Sequence, residues 1–169
     1  YESLVIRKAT HMFGWDICPR IVSAGLWREV KVVQKKAERI EDVFLWVDGI
    51  ADGKAVCVAT FDVEIGRRPV KPYEVRLEGV CGKSRFSVSQ KLWFEIENPA
   101  LWWPRGYGEA NQYAITATLL KNGEIVDAIS FRQGLRAVEL KYDQYITGDA
   151  EAEFCFIVNG RRVYVKGTN

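Results

Sequence analysis

Phe13 to Arg20 reads FGWDICPR, which packs two large aromatic rings, a carboxylate, a thiol, a proline and a guanidinium into eight positions. Such a run does one of two things. It anchors a core, or it faces a ligand held by a larger body. The run lies near the start of the chain, where unsupported backbone frays, so a ligand-facing role requires that larger body. Other chemistry-bearing residues are sparse. His11 is the one histidine, which removes most metal sites and most histidine-based catalysis; it is expected to be a packed loop residue. The four cysteines are Cys18, Cys57, Cys81 and Cys155, and the closest two are 24 positions apart. No CxxC and no zinc-ligand spacing occurs, so no metal and no cofactor is expected. Cys57 and Cys81 both fall on the apolar side of alternating stretches and could approach each other. Reduced core thiols are the expectation, since free cysteine is a good small core residue.

The elements that must position these residues read as strands. KAVCVATFDVEI alternates, with Cys57, Ala59, Phe61, Val63 and Ile65 on one face and Val58, Thr60, Asp62 and Glu64 on the other. Tyr113, Ile115, Ala117 and Leu119 share a face in the same way, and so do Leu45 and Val47, with Phe44 and Trp46 opposite. Period-2 alternation marks a sheet with one buried face. Asp48-Gly49, Asp52-Gly53, Gly66, Gly82, Asn98-Pro99 and Asn122-Gly123 are turn signals, and Asn122-Gly123 and Asn159-Gly160 read as hairpins, because both residues tolerate the positive φ of a type I′ turn. The nearest approach to a helical stripe is VVQKKAERIEDVF, and its β-branched residues weaken it; QKKAER within it reads as a solvated charge run. About seven strands between Arg28 and Leu140 predict an all-β fold, an immunoglobulin-like antiparallel β-sandwich with flanking strands from neighbouring domains. The Cys…Trp…Cys spacing of antibody domains is absent.

The chain has 169 residues, 48% of them hydrophobic, and a formal net charge of +2. That balance gives nucleic acid no electrostatic footprint, and no apolar run is long enough for a membrane-spanning helix. No nucleic-acid and no membrane partner is expected. The start, YESLVIRKAT, has no signal-peptide pattern and reads as a strand already under way. The two ends look cut from neighbouring domains.

Four motifs carry a family resemblance: FGWDICPRIVSAGLWREV, NPALWWPRGYGEANQYAITATLL, SFRQGLRAVEL and FCFIVNGRRVYVKGTN. In this order they resemble the β-mannosidases of glycoside hydrolase family 2. The first is similar to the close of the N-terminal jelly roll and the second to a late segment of the immunoglobulin-like domain. The third resembles the strand leaving that domain, and the fourth the entry to the catalytic (β/α)₈ barrel. Ile17-Cys18 stands where the family often has Trp-Gly, and Arg105 where it often has Asn or His. The implied division is residues 1–27 for the jelly-roll tail, 28–140 for the sandwich and 141–169 for the strands leading into the barrel.

The resemblance implies a non-catalytic piece of a retaining exo-glycosidase. The two catalytic glutamates would lie beyond residue 169, so no catalytic residue is expected here. The implied parent releases terminal β-D-mannose. The alternatives are another exo-glycosidase of the family (glucosaminidase, galactosidase or glucuronidase) or a non-enzymatic carbohydrate- or protein-binding sandwich. The implied partners are a β-mannoside or related oligosaccharide and the chain's own barrel and jelly-roll domains. For a bacterial parent the cytoplasm is favoured over secretion. Trp15, Asp16 and Asn169 are the expected substrate-binding residues. An indole face stacks on the apolar face of a pyranose, and a carboxylate accepts from two adjacent sugar hydroxyls. Arg20 is expected to be structural. Trp102, Trp103 and Tyr107 are expected in core or interface, as are Trp27, Trp46 and Trp93.

Overall fold

The computed structural model describes residues 7–66, 72–142 and 154–167. The chain divides into two compact units, Tyr1–Gln34 and Lys35–Asn169. In the first, the described regular element is a single 3₁₀ turn, Thr10–Phe13.

The second unit holds a seven-stranded sandwich. Strands β1 (Arg39–Ala51), β2 (Lys54–Glu64) and β5 (Trp93–Glu97) form one antiparallel sheet in the order β1-β2-β5. Strands β3 (Tyr73–Cys81), β4 (Ser84–Ser89), β6 (Tyr113–Lys121) and β7 (Glu124–Gln133) form the other, in the order β4-β3-β6-β7. The chain changes sheet between β2 and β3, again between β4 and β5, and again between β5 and β6. Two of the Asx-Gly pairs make two-residue turns, Ala51 facing Lys54 across Asp52-Gly53 and Lys121 facing Glu124 across Asn122-Gly123, whereas Asp48-Gly49 is no turn and lies inside β1 at a register shift. All four turn residues have positive φ.

The alternation becomes the core. Leu45 and Val47 of β1, Cys57 and Ala59 of β2, and Phe94 and Ile96 of β5 pack against Leu77, Phe86, Tyr113, Ile115, Ala117 and Leu119 of the opposite sheet. A fully buried side chain of the larger kinds contributes about 1.5–3 kcal/mol. Tyr113 is fully buried, and its hydroxyl is satisfied on both sides: it donates to Ser84 Oγ at 2.6 Å and accepts from the Ala100 N–H at 2.9 Å. Phe86 lies across Gly79, its cross-strand partner. A Cβ built on Gly79 would stand 2.2 Å from the Phe86 ring, so only glycine fits beneath it.

The segment with a weak helical stripe forms no helix, and β1 begins at Arg39. The charged run is also more than a solvated face. Lys36 pairs with Asp127 at 2.8 Å, Lys35 with Glu41 at 2.9 Å, and Glu38 takes bonds from Tyr73 and Lys121. These bonds tie the entry of the sandwich to β3, β6 and β7. Val58, on the outward face of β2, is nonetheless buried, because Trp46 and Trp93 flank it in the same row of the sheet. Trp93 itself is more than half exposed, and Trp27 is exposed, so neither is a core residue of its own unit. Cys57 and Cys81 lie on strands of different sheets, and neither is disulfide-bonded.

After the sandwich comes a small antiparallel sheet, β10-β9-β8, of β8 (Val138–Tyr142), β9 (Phe154–Val158) and β10 (Arg161–Val163). The turn between β9 and β10 is Asn159-Gly160, again with both φ positive.

Candidate functional site

Trp15 and Asp16 sit together at the tip of a closed loop in the first unit. The 3₁₀ turn ends on Gly14, whose φ of +107° lets the backbone reverse. Trp15 and Cys18 then exchange backbone hydrogen bonds, Trp15 N to Cys18 O at 3.1 Å and Cys18 N to Trp15 O at 2.5 Å. This pair closes a four-residue turn with Asp16 at φ +41°. That is the left-handed region, which Asp tolerates better than most residues and β-branched residues tolerate poorly. At the base, the Ile21 N–H returns to Met12 O at 3.1 Å, and the Arg20 guanidinium lies over the Phe13 ring at 5.3 Å. The loop is thus pinned at its root by Phe13 and Arg20, while Trp15 (72% exposed), Asp16 and Ile17 are presented outward. Within its unit the indole takes no part in a core, and its face is open for stacking. Asn169, the third expected substrate residue, lies outside the described residues. Cys18 and His11 are exposed on the same segment.

In the second unit the aromatic loop 101–108 is built on glycine seats. Trp102 Cβ and Cγ would stand 2.7 Å from a Cβ on Gly134, and Trp103 Cγ and Cδ1 would stand 2.8 Å from one on Gly108. Both indoles are half-buried. The Trp102 backbone N–H donates to Leu135 O at 2.9 Å, and the Arg136 guanidinium covers its ring at 4.6 Å. These contacts make Trp102 and Trp103 structural, in line with the expectation of core or interface.

Sequence reasoning saw Asn159 only as a turn residue, yet its side chain ties the aromatic loop to the terminal sheet. Its Oδ1 accepts from the Ala137 N–H at 3.0 Å, and its Nδ2 donates to Trp102 O at 2.9 Å. One amide therefore joins the β9–β10 turn, the start of β8 and the aromatic loop. The only sequence signal was Asn in preference to Asp, since Asn alone offers both donor and acceptor. Tyr107 adds a second tie, its hydroxyl accepting from the Tyr164 N–H at 2.7 Å while Arg161 lies over its ring.

Among the described residues the shifted groups are surface ion-pair partners and one buried thiol. Lys36 and the Ile40 N–H hold the Asp127 carboxyl below its ordinary range, and Lys35 and Arg39 do the same for Glu41. Burial alone pushes the Cys57 thiol up to about 12, so it is inert as a nucleophile. Among the described residues no group of three or more His, Cys, Asp or Glu side chains is placed to hold a metal. Among the described residues no helix is long and apolar enough to cross a membrane.

Comparison with known proteins follows the same outline. Residues 38–136 match the family described as glycosyl hydrolases family 2. Over 98% of its length the chain is 31% identical to β-mannosidase B of Aspergillus clavatus, and over 98% it is 33% identical to that of Thermothelomyces thermophilus. It spans about a fifth of the length of these curated relatives, 20% in each case. The crystal structure of the β-D-mannosidase from Dictyoglomus thermophilum superposes with a TM-score of 0.76 at 33% identity, over 98% of this chain and 21% of that one. A β-glucuronidase from Ruminococcus gnavus superposes over 77% of this chain and 19% of that one, with a TM-score of 0.56 at 16% identity, which is a likeness of fold alone.

Proposed function

Because this chain belongs to glycosyl hydrolase family 2, we propose that it is one stretch of a retaining exo-β-mannosidase. Residues 1–27 close a sugar-binding jelly roll, 28–140 form the sandwich, and 141–169 lead into a catalytic barrel. The observation that carries this reading is the near end-to-end similarity to β-mannosidases, at 31–33% identity over 98% of the chain. The likeness runs through the exposed turn as well as the sandwich.

Retaining hydrolysis needs two carboxyl groups about 5–5.5 Å apart, one as nucleophile and one as acid/base. In this reading both belong to later barrel strands, and this chain supplies neither. Its contribution is binding at a distance from the scissile bond. The Asp16 carboxylate accepts from adjacent hydroxyls of the terminal mannose, and the Trp15 indole stacks on its apolar face, with Asn169 as a further contact. The tight turn fixes the backbone that carries both residues, which reduces the ordering cost of binding.

The test uses the full-length parent enzyme. Asp16→Asn keeps the shape and removes the charge. A hydrogen bond to a charged group is worth about 1.5–3 kcal/mol, so kcat/KM on an aryl β-mannoside is expected to fall about 10- to 150-fold. Unchanged kinetics in both Asp16→Asn and Trp15→Ala would remove these residues from the site. A wild-type preference for an aryl β-galactoside or β-glucuronide over the mannoside would overturn the substrate assignment.

A further inference from the structure

The outer face of the β1-β2-β5 sheet carries aromatic rings that the sandwich core does not use. Alternation turns Phe44 and Trp46 of β1, Val58 of β2 and Trp93 of β5 away from the buried face that holds Leu45, Cys57 and Phe94. Trp46 and Trp93 are the two cross-strand partners of Val58, so one row of the sheet reads Trp46-Val58-Trp93. Val58 is only 3% exposed although it points outward, and it forms the floor between the indoles. Phe44 and Trp93 are 62% and 57% exposed. The Phe44 and Trp46 rings meet at 5.2 Å with a tilt of 37°. Together these side chains make an apolar strip on a hydrogen-bonded ladder.

The border of the strip is polar and acidic. On one side Thr60 lies opposite Phe44, and Asp62 lies opposite Asp42. On the other, Glu95 and Glu97 follow Trp93 along the same face, and Lys54 pairs with them at 2.8 and 3.8 Å. Four carboxylates against one ammonium repel an anion and accept hydrogen bonds from hydroxyl groups. That border disfavours nucleic acid, a uronic-acid polymer or an anionic membrane as the occupant. The strip is also small. Large aromatic side chains carry about 150–250 Å² each, so these three at their exposure offer roughly 300 Å². A stable protein interface takes about 800 Å² from each partner. A second copy of the chain would lay most of its footprint on the charged border.

We infer that this strip is a carbohydrate-binding platform for an uncharged β-linked polysaccharide or oligosaccharide. A pyranose has an apolar C–H face that stacks on an aromatic ring and a rim of hydroxyls that donate to oxygen acceptors. The strip supplies both, the rings in the middle and Thr60, Asp62 and Glu95 at the edges. The two indoles stand two strands apart, about 9.5 Å at the backbone, which is roughly the length of two linked pyranose rings. An extended glycan crossing the strands therefore sets alternate sugars on Trp46 and Trp93. The ladder holds the rings in place before the ligand arrives, which lowers the ordering cost. The platform shares no residue with the Trp15–Asp16 turn. Only the choice of a mannosyl polymer rests on the exo-β-mannosidase reading.

Native electrophoresis of the full-length parent tests this, in gels holding galactomannan (a soluble β-mannan), a soluble β-glucan, dextran or no polysaccharide. Galactomannan is expected to retard the wild type and dextran is not. Trp93→Ala should weaken the affinity about tenfold, the loss of one apolar ring contact, and Trp93→Phe should restore part of it. Hydrolysis of an aryl β-mannoside, a substrate one sugar long, should be unchanged in Trp93→Ala, which also shows that the variant folds. If Trp93→Ala does not fold, Phe44→Ala carries the same expectation at a more exposed ring. Asp16→Asn should leave the retardation as it is. Retardation by the β-glucan alone, lost in Trp93→Ala, would remove the mannosyl assignment and keep the platform. A parent that no β-glycan retards, or whose retardation survives both Trp93→Ala and Phe44→Ala, would overturn the inference. So would a wild type that is a dimer by sedimentation and a Trp93→Ala variant that is a monomer, in favour of a second copy.

Discussion

Replacing Gly134 by alanine tests how the aromatic loop is held. The φ of Gly134 is not in the left-handed region, so alanine suits the backbone. By itself that change would stabilise by about 0.4–1 kcal/mol, because it restricts the unfolded chain. The new methyl would stand 2.7 Å from Trp102 Cβ and Cγ and 2.8 Å from Cδ1. These atoms are at the root of the side chain, where rotation gives little relief. Trp102 cannot retreat as a whole, since its backbone N–H is bonded to Leu135 O, its carbonyl to Asn159 Nδ2, and its ring lies under Arg136. Overpacking of this kind costs about 1–3 kcal/mol. The net expectation is a loss of roughly 1–2 kcal/mol, which displaces a urea midpoint by about 0.5–1 M for an m-value near 2 kcal/mol/M. Gly49→Ala is the control: no positive φ, and nothing within 4 Å of the added methyl. It should be neutral or slightly stabilising. On a Trp102→Gly background, which removes Cβ as well as the ring, the Gly134→Ala penalty should vanish, giving a coupling energy of about 1–2 kcal/mol. A Gly134→Ala protein that unfolds with the wild type, or a penalty unchanged when Trp102 is removed, would refute the reasoning.

Gly79→Ala should be costlier, because Phe86 stands at 2.2 Å and is packed against Phe94 and Tyr113 at 5.3 and 5.8 Å; denaturation should show a loss of about 2–3 kcal/mol or a chain that does not fold. Titration of the native protein with a disulfide reagent at pH 8 should label exposed Cys18 rapidly, while Cys57, buried and pushed up to about 12, reacts only on unfolding. Equal labelling rates for the two would show that the sandwich core is open. The Asp127 carboxyl is depressed from its ordinary 3.8, first by the bond from Lys36, against an opposing burial effect, and then by the Ile40 N–H. Its stabilisation is therefore complete above about pH 4 and is lost as the pH falls through its lower folded-state value. Asp127→Asn should flatten the acid limb of the urea midpoint, and an unaltered limb would exclude the pair from acid unfolding.

What the sequence by itself determined was local. Alternation at Cys57, Ala59, Phe61 and at Tyr113, Ile115, Ala117, Leu119 named the buried faces, because successive side chains on a strand point to opposite sides. Asp52-Gly53, Asn122-Gly123 and Asn159-Gly160 named the turns, because positive φ is a property of the residue itself. The adjacency of Trp15 and Asp16 was equally legible, although only the structure placed them on an outward turn. The rest depended on partners distant along the chain. Nothing in the sequence marks Gly79 as the floor beneath Phe86, or Gly134 as the floor beneath Trp102. Asn159 holds Trp102 from 57 positions away, and Lys36 holds Asp127 from 91. A turn or a strand face follows from the steric limits of neighbouring residues. A close approach between separate strands exists only once the sheets have stacked, and packing then decides which residues must be small and which polar groups meet.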